Sequence, residues 1–214
     1  MSRKFGLRKF LGNQDFLDYN PKEFWGNRIG GRGVDEIDND IVWFDCLVSF
    51  FKEIECKSVL EIGSGGGTNL GFLKSKLPFL KCTGIDLSSR YVELSKKDYP
   101  GIEFRLVDLV KELPRIKSKS FDCVLCAGIL MHVLPSKIDF VVKEIKRISS
   151  KAIFVYEQDK FKEFGLRHPN NFVFFYNYER LFKELDLVFK KEFKGEHFVF
   201  EFVVKEEEKN GFDW

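Results

Sequence analysis

The chain has no apolar run approaching the ~20 residues that a helix needs to cross a bilayer, so no transmembrane segment is expected. Its first residues, Met1, Ser2, Arg3, Lys4 and Phe5, lack the apolar stretch and small-residue cleavage site of a secretory signal, which makes the cytoplasm the expected location. Charge of one sign is scarce as well: 35 Lys and Arg against 33 Asp and Glu leave a formal net charge of +2 over 214 residues. So even a balance carries no strong signal for a nucleic-acid partner. Cysteine is sparse, and Cys46, Cys56, Cys82, Cys123 and Cys126 make no disulfide framework. Cys123 and Cys126 have CxxC spacing but fall in an apolar strand pattern, where alternate side chains point to opposite faces. Buried free thiols are expected there, and no metal site.

What the chain does have is the composition of an ordinary globular protein, 44% hydrophobic and 32% charged, with length for one well-buried core and not two. Asp38 and Asp40 are placed to cap a helix whose apolar positions Ile41, Phe44, Val48 and Phe51 recur at helical spacing. Ser58 to Ile62 reads as a short buried strand, broken by Gly63 to Gly67. A helix from about Thr68 must end near Pro78, whose ring and missing N–H stop a helix. Cys82 to Leu87 is a second strand, followed by a helix capped by Ser88 or Ser89. Ile102 to Val107 and Phe121 to Cys126 are two more strands. Pro135 and Ser136 then open a helix with Ile138, Val141, Val142, Ile145 and Ile148 on one face. Ala152 to Tyr156 is a fifth strand, and a short helix is expected around Tyr178 to Leu185.

Strand and helix alternating at this rhythm require parallel strands joined by right-handed crossovers. The ending differs. Leu187 to Phe193 and His197 to Val204 are β-rich runs separated only by Lys194-Gly195-Glu196, a connection that predicts an antiparallel hairpin. In the second run Phe198, Phe200, Phe202 and Val204 alternate with other residues and predict one strongly apolar face. The expected fold is α/β, a doubly wound seven-stranded, mostly parallel sheet with a C-terminal antiparallel hairpin. In domain terms, an N-terminal arm or lid spans 1–36, the α/β domain 37–205 and a charged tail 206–214.

The segment Glu61-Ile62-Gly63-Ser64-Gly65-Gly66-Gly67 carries the most chemical information. Glycines after a first strand let the backbone turn sharply and approach a ligand with no Cβ in the way, over the carboxyl ends of the strands. A tight strand-to-helix turn without a ligand uses glycine too, so the neighbouring strand ends matter. Asp86 ends the second strand, 23 residues beyond Gly63, where a carboxylate can accept hydrogen bonds from both ribose hydroxyls. Asp108 ends the third, placed to receive an adenine amino group, and Ala127-Gly128 follow the fourth, leaving room for substrate. The nicotinamide fingerprint G-x-G-x-x-G fails in both registers: its last glycine is Thr68 counting from Gly63, and Leu70 counting from Gly65.

Val59-Leu60-Glu61-Ile62-Gly63-Ser64-Gly65-Gly66-Gly67 resembles motif I, E/D-x-G-x-G-x-G, of class I (Rossmann-like) S-adenosylmethionine-dependent methyltransferases, particularly those of types 11 and 12. Gly84-Ile85-Asp86-Leu87-Ser88, Val107-Asp108-Leu109 and Phe121-Asp122-Cys123-Val124-Leu125 are similar to the motifs that follow it. The resemblance runs from about Ser58 to the C-terminus. It implies S-adenosyl-L-methionine as cofactor, with Glu61, Gly63 and Gly65 along its methionine part, Asp86 on the ribose, and Asp108 and Leu109 on the adenine. Ser64, Gly67, Asn69, Leu87, Ala127 and Gly128 complete the implied cofactor-binding set.

Methyl transfer needs a general base only where the acceptor proton is weakly acidic, as in an alcohol. His132, just after the fourth strand, is the candidate catalytic base, with a structural histidine as the alternative. The segment Glu157 to Tyr176, with Gln158, Asp159, Arg167, His168, Asn170 and Asn171, exceeds a typical crossover loop and reads as an acceptor pocket or as a covering surface loop. Phe24-Trp25-Gly26-Asn27-Arg28 reads equally as a lid over the cofactor or a packed arm. Arg3, Lys4, Arg8 and Lys9 interleave with Phe5, Leu7 and Phe10, a patch for RNA or a membrane surface or a solvated amphipathic end. No N/D-P-P-Y/F follows the fourth strand and Cys126 lacks a neighbouring proline, which argues against the familiar base-methylating motifs. A small-molecule, sugar or lipid-linked acceptor remains. Thr68-Asn69-Leu70 and Gly128-Ile129-Leu130-Met131-His132-Val133-Leu134-Pro135 are similar to methyltransferases associated with pseudaminic acid and surface glycans, which implies O- or N-methylation of a sugar. An RNA or protein methyltransferase and a non-catalytic scaffold are the alternatives, and oligomeric state is left open.

Overall fold

The computed structural model describes Asn20 and residues 41–158, 167–168, 173–193 and 197–205. The expected arm or lid (Asn20 apart), the caps Asp38 and Asp40, the 194–196 connection and the charged tail lie outside the described residues. Helix α1 (Ile41–Glu53) leads into β1 (Ser58–Ile62), α2 (Thr68–Lys76), β2 (Lys81–Asp86), α3 (Ser89–Asp98) and β3 (Glu103–Leu106). A one-turn α4 (Leu109–Glu112), β4 (Phe121–Ala127), a 3-10 turn (Leu130–His132), α5 (Ile138–Ile148) and β5 (Ser149–Gln158) follow. The short pair β6 (Arg167–His168) and β7 (Val173–Phe174), one-turn α6 (Tyr178–Leu181), β8 (Asp186–Phe193) and β9 (His197–Val203) complete the order. Among the described residues no helix is long and apolar enough to cross a membrane.

Seven strands form one sheet in the order β3-β2-β1-β4-β5-β9-β8. The first five are parallel, and β9 runs antiparallel to both β5 and β8. This is the expected doubly wound sheet with its closing hairpin. The two-residue period of the strands sorts the core into two clusters on opposite faces. Leu60, Ile62, Val124, Cys126, Ile153 and Val155 pack against Val141, Val142, Ile145 and Ile148 of α5. Val59, Cys82, Cys123, Leu125 and Phe154 pack against Leu47 and Phe51 of α1 and Leu70 and Leu73 of α2. Cys123 and Cys126 therefore sit in different clusters as buried free thiols, with burial holding both well above the ordinary thiol range.

Three elements depart from the sequence expectation. Helix α5 starts at Ile138 and not at Pro135, because the Leu134 carbonyl accepts from both Lys137 N (2.8 Å) and Ile138 N (3.1 Å), so Pro135 and Ser136 are used up in a turn. Strand β5 runs on to Gln158, since β9 pairs with it from Ala152↔Val203 to Gln158↔His197. Strand β9 carries the expected apolar face, with Phe198, Phe200 and Phe202 on the α5 side, while Val199 and Glu201 are buried on the other. Helix α6 is a single turn, capped by Asn177, whose side-chain oxygen accepts from Arg180 N at 2.9 Å.

Phe200 is fully buried, with ring centroids 6.0 Å from both Phe198 and Phe202 and 5.7 Å from Tyr178. Phe200→Ala is expected to cost about 3–5 kcal/mol in denaturant unfolding, the usual loss for a buried phenylalanine. Phe79→Ala, at an exposed ring, should stay within about 0.5 kcal/mol of the parent.

Candidate active site

Strand order reverses across β1, with β2 on one side and β4 on the other, and the crevice over such a switch point is where open α/β sheets bind ligands. The glycine loop fills the β1 side. Gly63 N and Ser64 N both donate to Ile85 O (2.8 and 3.0 Å), and Gly67 N donates to Ser64 O (2.8 Å). Gly63 adopts φ +70°, and a Cβ there would fall 2.6 Å from Ile129 Cγ1, so no other residue fits. Over Gly65 and Gly66, by contrast, a Cβ would meet no atom of the described residues within 4 Å, which leaves the loop open to them on that side.

Asp86 braces the loop. Its Oδ2 accepts from Gly65 N (2.9 Å) and its Oδ1 from Ser88 N (2.8 Å). Burial raises its pKa, while the Ser88 and Gly65 N–H groups pull it back. Helix α3 adds a second brace: the buried Ser95 hydroxyl lies 2.8 Å from Gly65 O and 2.7 Å from Tyr91 O.

Glu61 is the unusual member. It is buried at the end of β1, and Oε1 accepts from Asn69 Nδ2 at 2.6 Å. Among the described residues, Oε2 is buried with no hydrogen-bond partner, as is the Ser64 hydroxyl oxygen. Gly84, opposite Glu61 on β2, carries no side chain, and a Cβ there would come within 2.7 Å of Ser64 Oγ. Burial pushes the Glu61 carboxyl up to about 8, with the Asn69 amide opposing and the Asp86 charge adding to the rise. Buried polar atoms without partners are rare in folded proteins and mark places where a further group belongs. The pair fits an amino acid's ammonium or hydroxyl donors, and the bare glycines fit a ligand lying close to backbone.

The remaining expected residues sit at the other strand ends. Asp108 follows β3 and caps α4, its Oδ1 accepting from Val110 N (3.2 Å) and Oδ2 3.5 Å from Lys111 Nζ, with its carboxylate still partly exposed. Leu87 is half-buried beside Asp86, and half-buried Leu109 packs on the α5-side cluster. Half-buried Ala127 ends β4, and Gly128, at φ +66°, donates its N–H to Tyr156 O (2.9 Å). His132 closes the 3-10 turn after β4, half-buried, with its N–H on Ile129 O (3.0 Å).

Glu157 was expected in the crossover segment. It belongs instead to β5, fully buried, and its carboxylate accepts from the N–H groups of Ile129 (2.8 Å), Leu130 (2.7 Å) and Met131 (3.4 Å). Burial pushes its carboxyl up to about 8, with those N–H groups opposing. Ser95 was missed in the sequence, and so were the turn-holding contacts of Glu157 and of Tyr176, whose hydroxyl donates to Val133 O at 2.5 Å. For Glu157 the signal was there: a carboxylate ends a buried parallel strand, as Asp86 does. Arg167 and His168 form β6 as backbone, while Asp159, Asn170 and Asn171 lie outside the described residues.

A five-strand parallel sheet closed by a reversed hairpin, with a glycine loop and acids at three successive strand ends, is the class I methyltransferase fold. Residues 59–151 match the family described as a methyltransferase domain. A stretch of 101 residues is 33% identical to demethylmenaquinone methyltransferase of Thermotoga maritima, covering 47% of this chain and 41% of that protein. The PH0226 protein from Pyrococcus horikoshii OT3 has a similar structure, with a TM-score of 0.64 at 17% identity over 91% of this chain and 100% of that one. Magnesium protoporphyrin IX methyltransferase from Synechocystis PCC 6803, crystallised with S-adenosylhomocysteine, gives 0.60 at 13% identity over 92% and 98%. The family match covers less than half of the chain, and the chain spans less than half the length of the curated relative it matches.

The two buried glutamates give a pH signature. With Glu61 and Glu157 at about 8 in the folded chain, the folded state retains protons that the unfolded chain releases near its ordinary value of ~4.3. Their contribution to stability is thus full at low pH and lost as pH rises through about 8. Thermal melts of the ligand-free protein from about pH 5 to about pH 8.5 should show a falling Tm, with a shallower slope for Glu61→Gln.

Proposed function

We propose that the chain is an S-adenosylmethionine-dependent methyltransferase acting on an oxygen or nitrogen of a small molecule, with a sugar or glycan precursor as the acceptor class. The observation that carries the cofactor reading is the pair of buried atoms without a partner among the described residues, Glu61 Oε2 and Ser64 Oγ, in a glycine loop that no described residue covers at Gly65 and Gly66. Glu61, Gly63, Ser64, Gly65, Gly67 and Asn69 would hold the methionine part. Asp86 and Leu87 would take the ribose, Asp108 and Leu109 the adenine, and Ala127 and Gly128 the space toward the acceptor. When bound, S-adenosylmethionine supplies an already electrophilic methyl group, so the protein's task is alignment and exclusion of water.

His132 is the residue for proton removal. It stands on the turn after β4, beside the end of the crevice where donor and acceptor must meet. A hydroxyl acceptor would give its proton to the imidazole as the oxygen attacks. The sugar reading rests on the resemblance of 68–70 and 128–135 to glycan-associated enzymes, together with the missing base-methylating motifs.

Calorimetry on the purified chain tests the cofactor. S-adenosylhomocysteine should bind at micromolar levels and NAD should not, and tight NAD binding alone would overturn the assignment. Asp86→Ala should weaken S-adenosylhomocysteine binding by about 1.5–3 kcal/mol through lost charge-assisted hydrogen bonds. Because Asp86 also satisfies the Gly65 and Ser88 N–H groups, the ligand-free variant should melt earlier than the parent.

For the acceptor, sugar nucleotides and other hydroxylated small molecules can be screened for S-adenosylhomocysteine release. With a hydroxyl acceptor in hand, His132→Ala should lower turnover by about 10²–10⁴-fold at unchanged cofactor affinity. Full turnover in a well-folded variant would remove the base.

A further inference from the structure

The turn after β4 is the piece of the site most exposed to misplacement. It is short, it follows a glycine in the left-handed region, and it starts with three successive N–H groups that the turn itself does not pair. All three end on one side chain from the neighbouring parallel strand. Glu157 Oε1 takes Ile129 N and Leu130 N, and Oε2 takes Met131 N. Tyr156, one residue earlier, accepts the Gly128 N–H through its carbonyl, so the end of β5 holds four consecutive amides of the β4 exit.

The held turn faces two ways. Its first residue, Ile129, stands over Gly63, with Cγ1 where a Cβ on that glycine would fall. Two residues on, Met131 forms a separate small cluster with Val173 and Phe175, and the Val133 carbonyl accepts the Tyr176 hydroxyl. The turn thus touches the glycine loop on one side and residues 173–176 on the other, with His132 between.

We infer that Glu157 is a positioning residue, whose carboxylate sets the post-β4 turn as the common wall of the cofactor loop and the acceptor side. This deepens the function proposed above and rests on it. Glu157 is not itself a base, because both of its oxygens are already occupied as acceptors from backbone. An amide in its place keeps one acceptor oxygen for Ile129 and Leu130 but sets an N–H₂ donor against the Met131 N–H. Alanine leaves all three amides buried without an acceptor.

The test compares the full chain with Glu157→Gln and Glu157→Ala by site-resolved hydrogen exchange and by calorimetric binding of S-adenosylhomocysteine, well below each Tm. In Glu157→Ala, exchange at 129–131 should accelerate by at least about tenfold while β1 stays protected, and the Kd should rise by about tenfold. Glu157→Gln should recover most of the binding, with faster exchange concentrated at Met131. A purely structural glutamate predicts a lower Tm with both readouts unchanged, and that result overturns the inference. If Glu157→Ala does not fold, unchanged exchange at all three amides in Glu157→Gln overturns it equally. Failure of the parent chain to bind S-adenosylhomocysteine would instead sink the functional reading, and the exchange data would still report whether Glu157 holds the turn.

Discussion

The loops that follow β1 to β4 carry N–H groups that no strand carbonyl takes, among them those of Gly65, Ser88, Val110 and Ile129 to Met131, and the candidate site depends on how those groups are satisfied. Carboxylates at strand ends do most of it. Asp86 takes Gly65 and Ser88, Asp108 takes Val110, and Glu157 takes three amides after β4. Each pins a loop at the carboxyl edge, and together they hold the crevice in shape. A buried amide left without an acceptor costs about 1–3 kcal/mol, which is enough to shift a short loop.

Glu61 stands apart from this pattern. It too ends a strand and is buried, yet among the described residues it accepts only the Asn69 amide, and one oxygen has no partner there. Beside it the Ser64 hydroxyl has no partner among the described residues either. Desolvation without full compensation is what lifts its pKa, and it marks the place where the fold carries polarity that its own packing does not consume.

Much of the fold was legible from local pattern. Ser58–Ile62 appears at its expected limits because glycines terminate it sharply, and Thr68–Lys76 ends before Pro78 for the reason proline dictates. Asp86 and Asp108 were found because they sit at the ends of recognisable strands. Their roles as brace and cap were not foreseen, since they depend on loop N–H directions that no spacing reveals. The start of α5 was misplaced because Pro135 and Ser136 are good helix openers locally, while the Leu134 turn claims them.

By itself the sequence determined the alternation of elements, the glycine loop, the residues at the strand ends and the two faces of Cys123 and Cys126. These follow from periodicity and from glycine and proline chemistry, which act over a few residues. Only the tertiary structure decided that β9 is buried on both faces, that β5 runs on to Gln158, and that Glu157 grips a turn 26–28 residues earlier in the chain. Those outcomes depend on which strands become neighbours, and a hydrogen bond between distant residues leaves no period in the sequence that makes it.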